Sequence, residues 1–269
     1  MNVKCIFIDI DGTLLADSKK VSDYTLKILN NVKSMGIFLI LASGRDLGNV
    51  QKISEDCGAS SIVIADNGAS IYDYQKKFLI SSSVFETKEI EIIWNISVKY
   101  KIDIIFNSKE CRYRHYFNLD KKYNENRDII IDSYQQIKSD VFQVTLLGEN
   151  STKLEHCVKE MLSLNIKKSN YGTGKNGISF VDINKQNVSK GIAIKSVLKY
   201  LNVSKENTMC FGDSINDINM FDECNIKVSM KNAKDEIKLI SNYITDFDNN
   251  EDGVARFLEK HLFLNIESL

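Results

Sequence analysis

Phe7-Ile8-Asp9-Ile10-Asp11-Gly12-Thr13-Leu14-Leu15 ends a compact apolar run that begins at Val3, and its reading decides the fold. A short apolar run of this kind suits a strand buried on both faces of a parallel sheet. Two carboxylates then arrive where the strand ends, which is where ligand sites of open α/β sheets form. With a strand period of two, Asp9 and Asp11 point the same way before Gly12 turns the chain. Two acids so placed repel one another, so a cation or a shared proton is expected beside them. A strand-end turn capped by Asp and Gly would explain one such group. It does not explain the matching strand ends that follow.

Outward from this strand the chain alternates. Ser22 can N-cap a helix whose apolar positions Leu26, Leu29 and Val32 recur at helical spacing, ending near Gly36. Ile37–Leu41 is a second apolar run and leads into Ser43-Gly44-Arg45. A helix through Val50 and Ile53 ends at Gly58, and Ile62–Ala65 forms a third strand that meets Asn67-Gly68. Strands separated by helices of this length imply a parallel sheet with right-handed crossovers.

The rhythm changes near Ser81-Ser82-Ser83. Helix Lys88–Lys99 is followed by strands Ile102–Phe106, Arg112–Phe117 and Gln143–Leu147, a helix from Ser151 to Leu164, and strand Ile178–Ile183. That segment reads as a separate α+β unit. After Lys190-Gly191 the α/β pattern returns, with helix Ile192–Leu201, strand Met209–Phe211, loop Gly212–Asp217, strand Ile226–Val228 and helix Val254–Lys260. The expected architecture is a discontinuous α/β core, 1–82 with 186–269, carrying an inserted unit at 83–185.

Composition narrows the partners. The 269 residues are 43% hydrophobic and 26% charged with a net charge of -1, as in a packed globular chain with no global basic excess to attract nucleic acid. No apolar run approaches the roughly 20 residues of a membrane span, and Asp9 and Asp11 interrupt the N-terminal run, so neither a membrane nor a signal peptide is expected. The 6 cysteines form no CxxC pair and the 3 histidines lie far apart, which suggests free thiols in a reducing, cytoplasmic setting and no sequence-local metal site of His or Cys. The chain has 0 prolines, so its turns rest on Gly and Asn.

Two further segments draw notice. Gly172-Thr173-Gly174-Lys175-Asn176 has the look of a phosphate loop, but it lacks Ser or Thr after the Lys and has Ser169 where the first Gly belongs. It reads as a hairpin loop. Arg112-Tyr113-Arg114-His115-Tyr116, as a strand, places both arginines on one face. Such a face could meet an anionic substrate, but surface strands routinely carry such charges, and a solvated strand is the expectation.

Asp9-x-Asp11-Gly-Thr, Ser43, Lys190 and Gly-Asp213-x-x-Asn216-Asp217 occur in that order and in matching strand contexts. They resemble the four motifs of the haloacid dehalogenase (HAD) superfamily of phosphotransferases. The insertion between Ser43 and Lys190 is where that superfamily places a C2 cap, and the roughly thirty residues between Asp11 and Ser43 are too few for an α-helical C1 cap. Val228-Ser229-Met230-Lys231-Asn232-Ala233, Tyr243-Ile244-Thr245, Glu251-Asp252-Gly253-Val254-Ala255 and Asn67-Gly68-Ala69 are similar to Cof-type sugar phosphatases of subfamily IIB. Asp182-Ile183-Asn184-Lys185 departs from them, with Asn where Pro is frequent.

The resemblance implies a Rossmann-like parallel-sheet core with a C2B-type cap, and a phosphatase of small phosphorylated metabolites, sugar phosphates foremost. It makes Asp9 the nucleophile and Asp11 the acid and base. It assigns Mg²⁺ to Asp9, the backbone carbonyl of Asp11, and Asp213. Ile10, Ser43, Gly44, Lys190 and Asn216 would hold the phosphate, with Thr13, Arg45, Asn67 and Asp217 supporting them. A phosphomutase, or a binding protein that kept the fold without turnover, are the alternatives. A monomer or weak homo-oligomer is expected.

Overall fold

The computed structural model describes residues 2–117, 127–149, 151–173 and 177–263. The first strand, β1 (Cys5–Ile8), is buried along its whole length. It is followed by α1 (Asp23–Ser34), β2 (Phe38–Ala42), α2 (Leu47–Asp56) and β3 (Ile62–Ala65). Ser22 caps α1, its hydroxyl accepting from the Thr25 N–H at 3.0 Å, and Ile28, Leu29 and Val32 turn the helix's apolar stripe inward.

β1, β2 and β3 pair in parallel as expected, and the sheet then continues with two strands that the sequence reading did not place. The link after β3 is a single tight turn, Asp66–Gly68, in which Asp66, Asn67 and Gly68 all take positive φ. A turn so short cannot carry a crossover, so β4 (Ser70–Asp73) returns antiparallel to β3, and β5 (Phe78–Ser82) pairs antiparallel with β4.

The inserted stretch holds α3 (Thr87–Tyr100), β6 (Asp103–Ser108), β7 (Arg112–His115), β8 (Asp128–Ile130), β9 (Val141–Gly148), α4 (Ser151–Met161), β10 (Ile166–Thr173) and β11 (Ser179–Lys185). Gly174-Lys175-Asn176 of the hairpin-loop reading lie outside the described residues. The chain then returns with α5 (Lys190–Leu201), β12 (Thr208–Gly212), α6 (Ile218–Asp222), β13 (Ile226–Ser229), α7 (Asp235–Leu239), β14 (Tyr243–Ile244) and α8 (Gly253–Leu258).

Two sheets result. One runs β14-β13-β12-β1-β2-β3-β4-β5, and the other runs β10-β11-β9-β6-β7-β8. The first is parallel from β14 to β3, so β1, β2 and β12 end on one edge and carry Asp9, Ser43 and Asp213 to the same place.

The second sheet is two-faced. Ile104, Phe106, Val144, Leu146 and Ile183 pack with α3 and α4 into a separate apolar cluster. Each such fully buried side chain contributes about 1.5–3 kcal/mol. The alternate residues Ile105, Asn107, Gln143, Thr145, Phe180 and Asp182 face the end of the first sheet. The period of two thus assigns one face to the core of this unit and the other to a cavity.

Candidate active site

Asp9 follows the last residue of β1, and its N–H donates to the Phe211 carbonyl of β12 at 3.0 Å. Its carboxylate is buried, and Oδ1 accepts from Lys190 Nζ at 2.5 Å. The same ammonium donates to Asp217 Oδ1 at 2.7 Å. Asp217 uses its other oxygen, Oδ2, to accept from the Asp213 and Ser214 N–H groups, each at 3.1 Å. Lys190 comes from the first turn of α5, and Ser189 caps that helix. A lysine there is usually solvated. Here it is buried between two carboxylates.

Asp213 stands opposite. Thr13 Oγ1 donates to its Oδ1 at 3.2 Å, and Gly12 lies against Oδ2. Gly12 has φ +77, and a Cβ there would fall 2.5 Å from that oxygen. Gly12→Ala should therefore cost about 1–2 kcal/mol of backbone strain and displace Asp213. A fall in melting temperature together with weakened divalent-metal binding is expected; unchanged melting and metal affinity would refute this reading of the turn.

One oxygen each from Asp9, Asp213 and Asp217 lies within 4.8 Å of the others. Asp9 and Asp217 share one ammonium with Asp213 close by, and the imbalance shows in the acidity of Asp9 and Asp213. Burial pushes Asp9 well above the usual carboxylate range; Lys190 opposes this, while Asp217 and Asp213 add to it. Burial and the Asp217 charge push Asp213 up to about 6. For Lys190, desolvation works against the charge, but Asp217 and Asp9 outweigh it and hold the ammonium above the ordinary lysine range. An excess of buried negative charge on hard oxygen donors suits a divalent cation of the Mg²⁺ class.

Asp11 is turned elsewhere. Arg45 grips it with two bonds, Nε to Oδ2 at 2.6 Å and Nη2 to Oδ1 at 2.7 Å, and Lys19 Nζ adds a third at 2.5 Å. Partial burial raises its pKa, but these two cations outweigh that effect and hold the carboxyl at about 2. Its side chain is not among the three that cluster around Asp213.

Ser43 is buried at the end of β2, where its carbonyl accepts from the Asn67 N–H at 3.0 Å. Gly44 leaves room for the Asn67 side chain, whose Oδ1 would lie 2.8 Å from a Cβ at that position. The Ile10 side chain is fully buried in the core, so this residue can offer a ligand only its backbone. Asn216 borders the cavity, and the Ser214 hydroxyl donates to its Oδ1 at 2.5 Å. Together Asp9, Asp11, Ser43, Gly44, Arg45 and Asn216 form one wall of a cavity of about 650 Å³, and the second sheet forms the other.

A family model for haloacid dehalogenase-like hydrolases matches residues 6–258. The chain belongs to that family. It is 29% identical over 256 residues to the 5-amino-6-(5-phospho-D-ribitylamino)uracil phosphatase YcsE of Bacillus subtilis, a match covering 95% of this chain and 94% of that one. A haloacid dehalogenase-like hydrolase from Bacteroides thetaiotaomicron has the same fold, with TM-score 0.85 and 22% identity over 96% of this chain and 99% of the other. The HAD subclass IIB sugar phosphatase BT4131 superposes with TM-score 0.78 and 22% identity over 96% and 98% of the two chains. This HAD hydrolase is a phosphatase by family. Among its described residues, no helix is long and apolar enough to cross a membrane.

Several residues around the HAD site escape a sequence reading. The solvated strand expected at Arg112 and Arg114 is corrected: both side chains are buried. Asp128 of β8 binds them, at 2.6 Å from Arg112 Nη2 and 3.1 Å from Arg114 Nη1. The cause is the pairing of β8 with β7, which sets Asp128 opposite Arg112. Asp46, the N-cap of α2, also takes Arg127 as a partner and has Arg112 at 3.8 Å. Gly48 makes this possible, since a Cβ there would overlap the Arg127 guanidinium. Gln143 Nε2 donates to the Gly44 carbonyl at 3.2 Å, and Asn184 Nδ2 donates to the Asp66 carbonyl at 3.0 Å. These bonds tie the second sheet to the loops that carry the motifs. A strand pattern with polar residues on one face was the available signal, but it does not say what that face meets.

Proposed function

We propose that this protein hydrolyses phosphate monoesters of small metabolites, sugar phosphates foremost, through an aspartyl-phosphate on Asp9 and with Mg²⁺ as cofactor. The observation that carries the reading is Asp9, bonded to Lys190 and through it to Asp217, on the wall of a cavity whose opposite wall belongs to a second sheet. In this reading, 1–82 with 186–269 is the catalytic core and 83–185 a cap.

An Asp9 oxygen would attack phosphorus in line as the ester P–O bond breaks, with Asp11 giving a proton to the departing alkoxide. Asp11 would then take a proton from the water that attacks the phosphorus of the aspartyl-phosphate, which restores the Asp9 carboxylate and releases phosphate. In the arrangement described here Arg45 and Lys19 hold Asp11 ionised, so proton donation requires it to leave them. Ser43, the backbone N–H groups of Ile10 and Gly44, Lys190 and Asn216 would position the phosphoryl oxygens. Thr13 holds Asp213, Asn67 supports the Ser43–Gly44 loop, and Asp217 orients Lys190. Mg²⁺, when bound, would be held by Asp9, the Asp11 carbonyl and Asp213, and would supply the charge that offsets repulsion between nucleophile and phosphate dianion.

The cavity wall supports a polyhydroxylated leaving group. Asn107 and Gln143 bond to each other at 2.7 Å, and Thr145 donates to Asp182 at 2.8 Å. They present amides, a hydroxyl and a carboxylate beside the apolar Ile105 and Phe180. Arg112 is engaged by Asp128. The Bacillus relative, by its name, acts on a phosphorylated ribityl compound.

Phosphate release from p-nitrophenyl phosphate and a panel of sugar phosphates tests the proposal. Mg²⁺-dependent turnover is expected, falling by about 10²-fold or more after chelation and returning on re-addition. Turnover indifferent to chelation would exclude the metal, and inactivity on every ester would exclude the function.

A further inference from the structure

A second cavity, of about 320 Å³, opens beside the first and shares Ser214 and Asn216 with it. Lys190 reaches its inner side, and its remaining wall includes Lys167, Lys168 and Ser169 of β10 and Lys234 before α7. No carboxylate among the described residues lines it, whereas the first cavity is bordered by four. We propose that this lysine-lined cavity is an anion subsite, taking a phosphate group other than the one being transferred. The inference builds on the phosphatase reading for what the neighbouring cavity does, but the subsite itself stands on its own residues.

The chain is shaped for it. β10 and β11 pair Lys167 with Asn184, so both side chains lie on one face of the sheet. Asn184 on that face is buried and bonds to the Asp66 carbonyl, so Lys167 is directed at the same seam. The pairing then slips between Lys168 and Asn170, leaving Ser169 as an extra residue. A bulge of this kind re-aims side chains, and bulges are over-represented beside active sites.

Two of the groups it gathers are uncompensated among the described residues. Lys167 is half-buried, and burial alone acts on its ammonium, with no carboxylate compensating. The Ser169 hydroxyl is buried without a hydrogen-bond partner, and Ser169 lines the cavity. A phosphate group would accept from Ser169 and from the ammonium groups. Lys168 Nζ sits 3.9 Å from the centre of the Tyr171 ring, which holds its charge at the rim. Since the two cavities share Ser214 and Asn216, the anion could be the far phosphate of a bisphosphorylated substrate or a separate ion beside a monophosphorylated one.

Calorimetric titration of the metal-free protein with inorganic pyrophosphate tests the subsite. One pyrophosphate per chain is expected, with affinity at least tenfold weaker in the double variant Lys167→Ala/Lys234→Ala and falling steeply with salt. No binding, or the same affinity in the variant, would overturn the proposal. The single variant Lys167→Gln, which retains the aliphatic stem, should show part of the same loss if the double variant misfolds. Kinetics separate the two sources of the anion. A bisphosphorylated sugar whose KM rises about tenfold in the variant, while that of its monophosphate stays within twofold, assigns the subsite to the substrate. Pyrophosphate that alters p-nitrophenyl phosphate turnover without competing, and only in the unaltered protein, assigns it to a separate ion. Absence of all phosphatase turnover would remove the proposed function but leave the pyrophosphate result standing.

Discussion

Asp9→Asn is expected to abolish phosphate release, with kcat reduced by about 10⁴-fold or more, while the fold keeps its full stability. Asparagine has nearly the same shape but no anionic oxygen, so no aspartyl-phosphate can form. Loss of a covalent nucleophile costs about 10⁶-fold in kcat where it has been measured. The stability side of the prediction follows from the local charge. Burial already pushes the Asp9 carboxyl toward its neutral form, and Asp213 and Asp217 push it further. A neutral amide therefore relieves repulsion, and Lys190 keeps Asp217 as its partner at 2.7 Å. Phosphate-release assays alongside thermal melts provide the check. Turnover at the unaltered rate would remove Asp9 as nucleophile, and a collapse in melting temperature would mean that its role is structural.

Lys190→Ala carries the second large effect, and here stability and catalysis fall together. The ammonium is buried and is the charge shared between Asp9 and Asp217. Removing one partner from a buried ionic group leaves the others uncompensated, at a cost of about 3–5 kcal/mol. It also removes a phosphate-positioning charge, with an expected loss of about 10²–10³-fold in kcat. The pH dependence has a definite sign. A carboxyl whose folded pKa exceeds its unfolded value binds its proton more tightly when folded, so the folded state gains stability as pH falls. For Asp213 that window runs from about 6 down to the unfolded value of 3.8. Asp9 is raised already, and losing Lys190 removes the charge that opposes the rise. Urea melts at pH 7.5 and pH 5.0 should then show a large gap between variant and parent at the higher pH and a smaller one at the lower. A gap that is the same at both values, or absent, would contradict the charge argument.

Much of the site was legible because local rules encode it. The β1 run, the Asp9-x-Asp11-Gly turn and the Gly212–Asp217 loop are short-range patterns of apolar period and turn chemistry. Ser22 was readable as a cap because the bond it makes spans only three residues. The parallel arrangement of β1, β2, β12 and β13 followed from the helices between most of them. The resemblance gave Lys190 a place among the phosphate-holding groups, but nothing in its immediate neighbours sets it apart from a solvated lysine, and its burial came only with the structure.

Other features were not readable, for one physical reason: their energy comes from partners far away in the chain. Arg112 and Arg114 look like surface residues until β8 brings Asp128 opposite them. Asp46 and Arg127 are 81 residues apart, and no local pattern announces their contact. The orientation of Asp11 toward Arg45, away from Asp213, depends on how two strand ends meet. The antiparallel return of β4 onto β3 was hidden because the tight turn between them uses Asp66 and Asn67 at positive φ, where glycine would be the usual signal.

The sequence by itself determined the strand-end carboxylates, the order of the motifs and the change of rhythm after the third strand, because periodicity and turn residues act over a few positions. Only the tertiary structure decided which face of that unit meets the carboxylates, which cations neutralise which acids, and which lysines are left facing a cavity without a counter-charge. Charge compensation in a buried site is a property of distances between segments, and those distances exist only once the two sheets have packed.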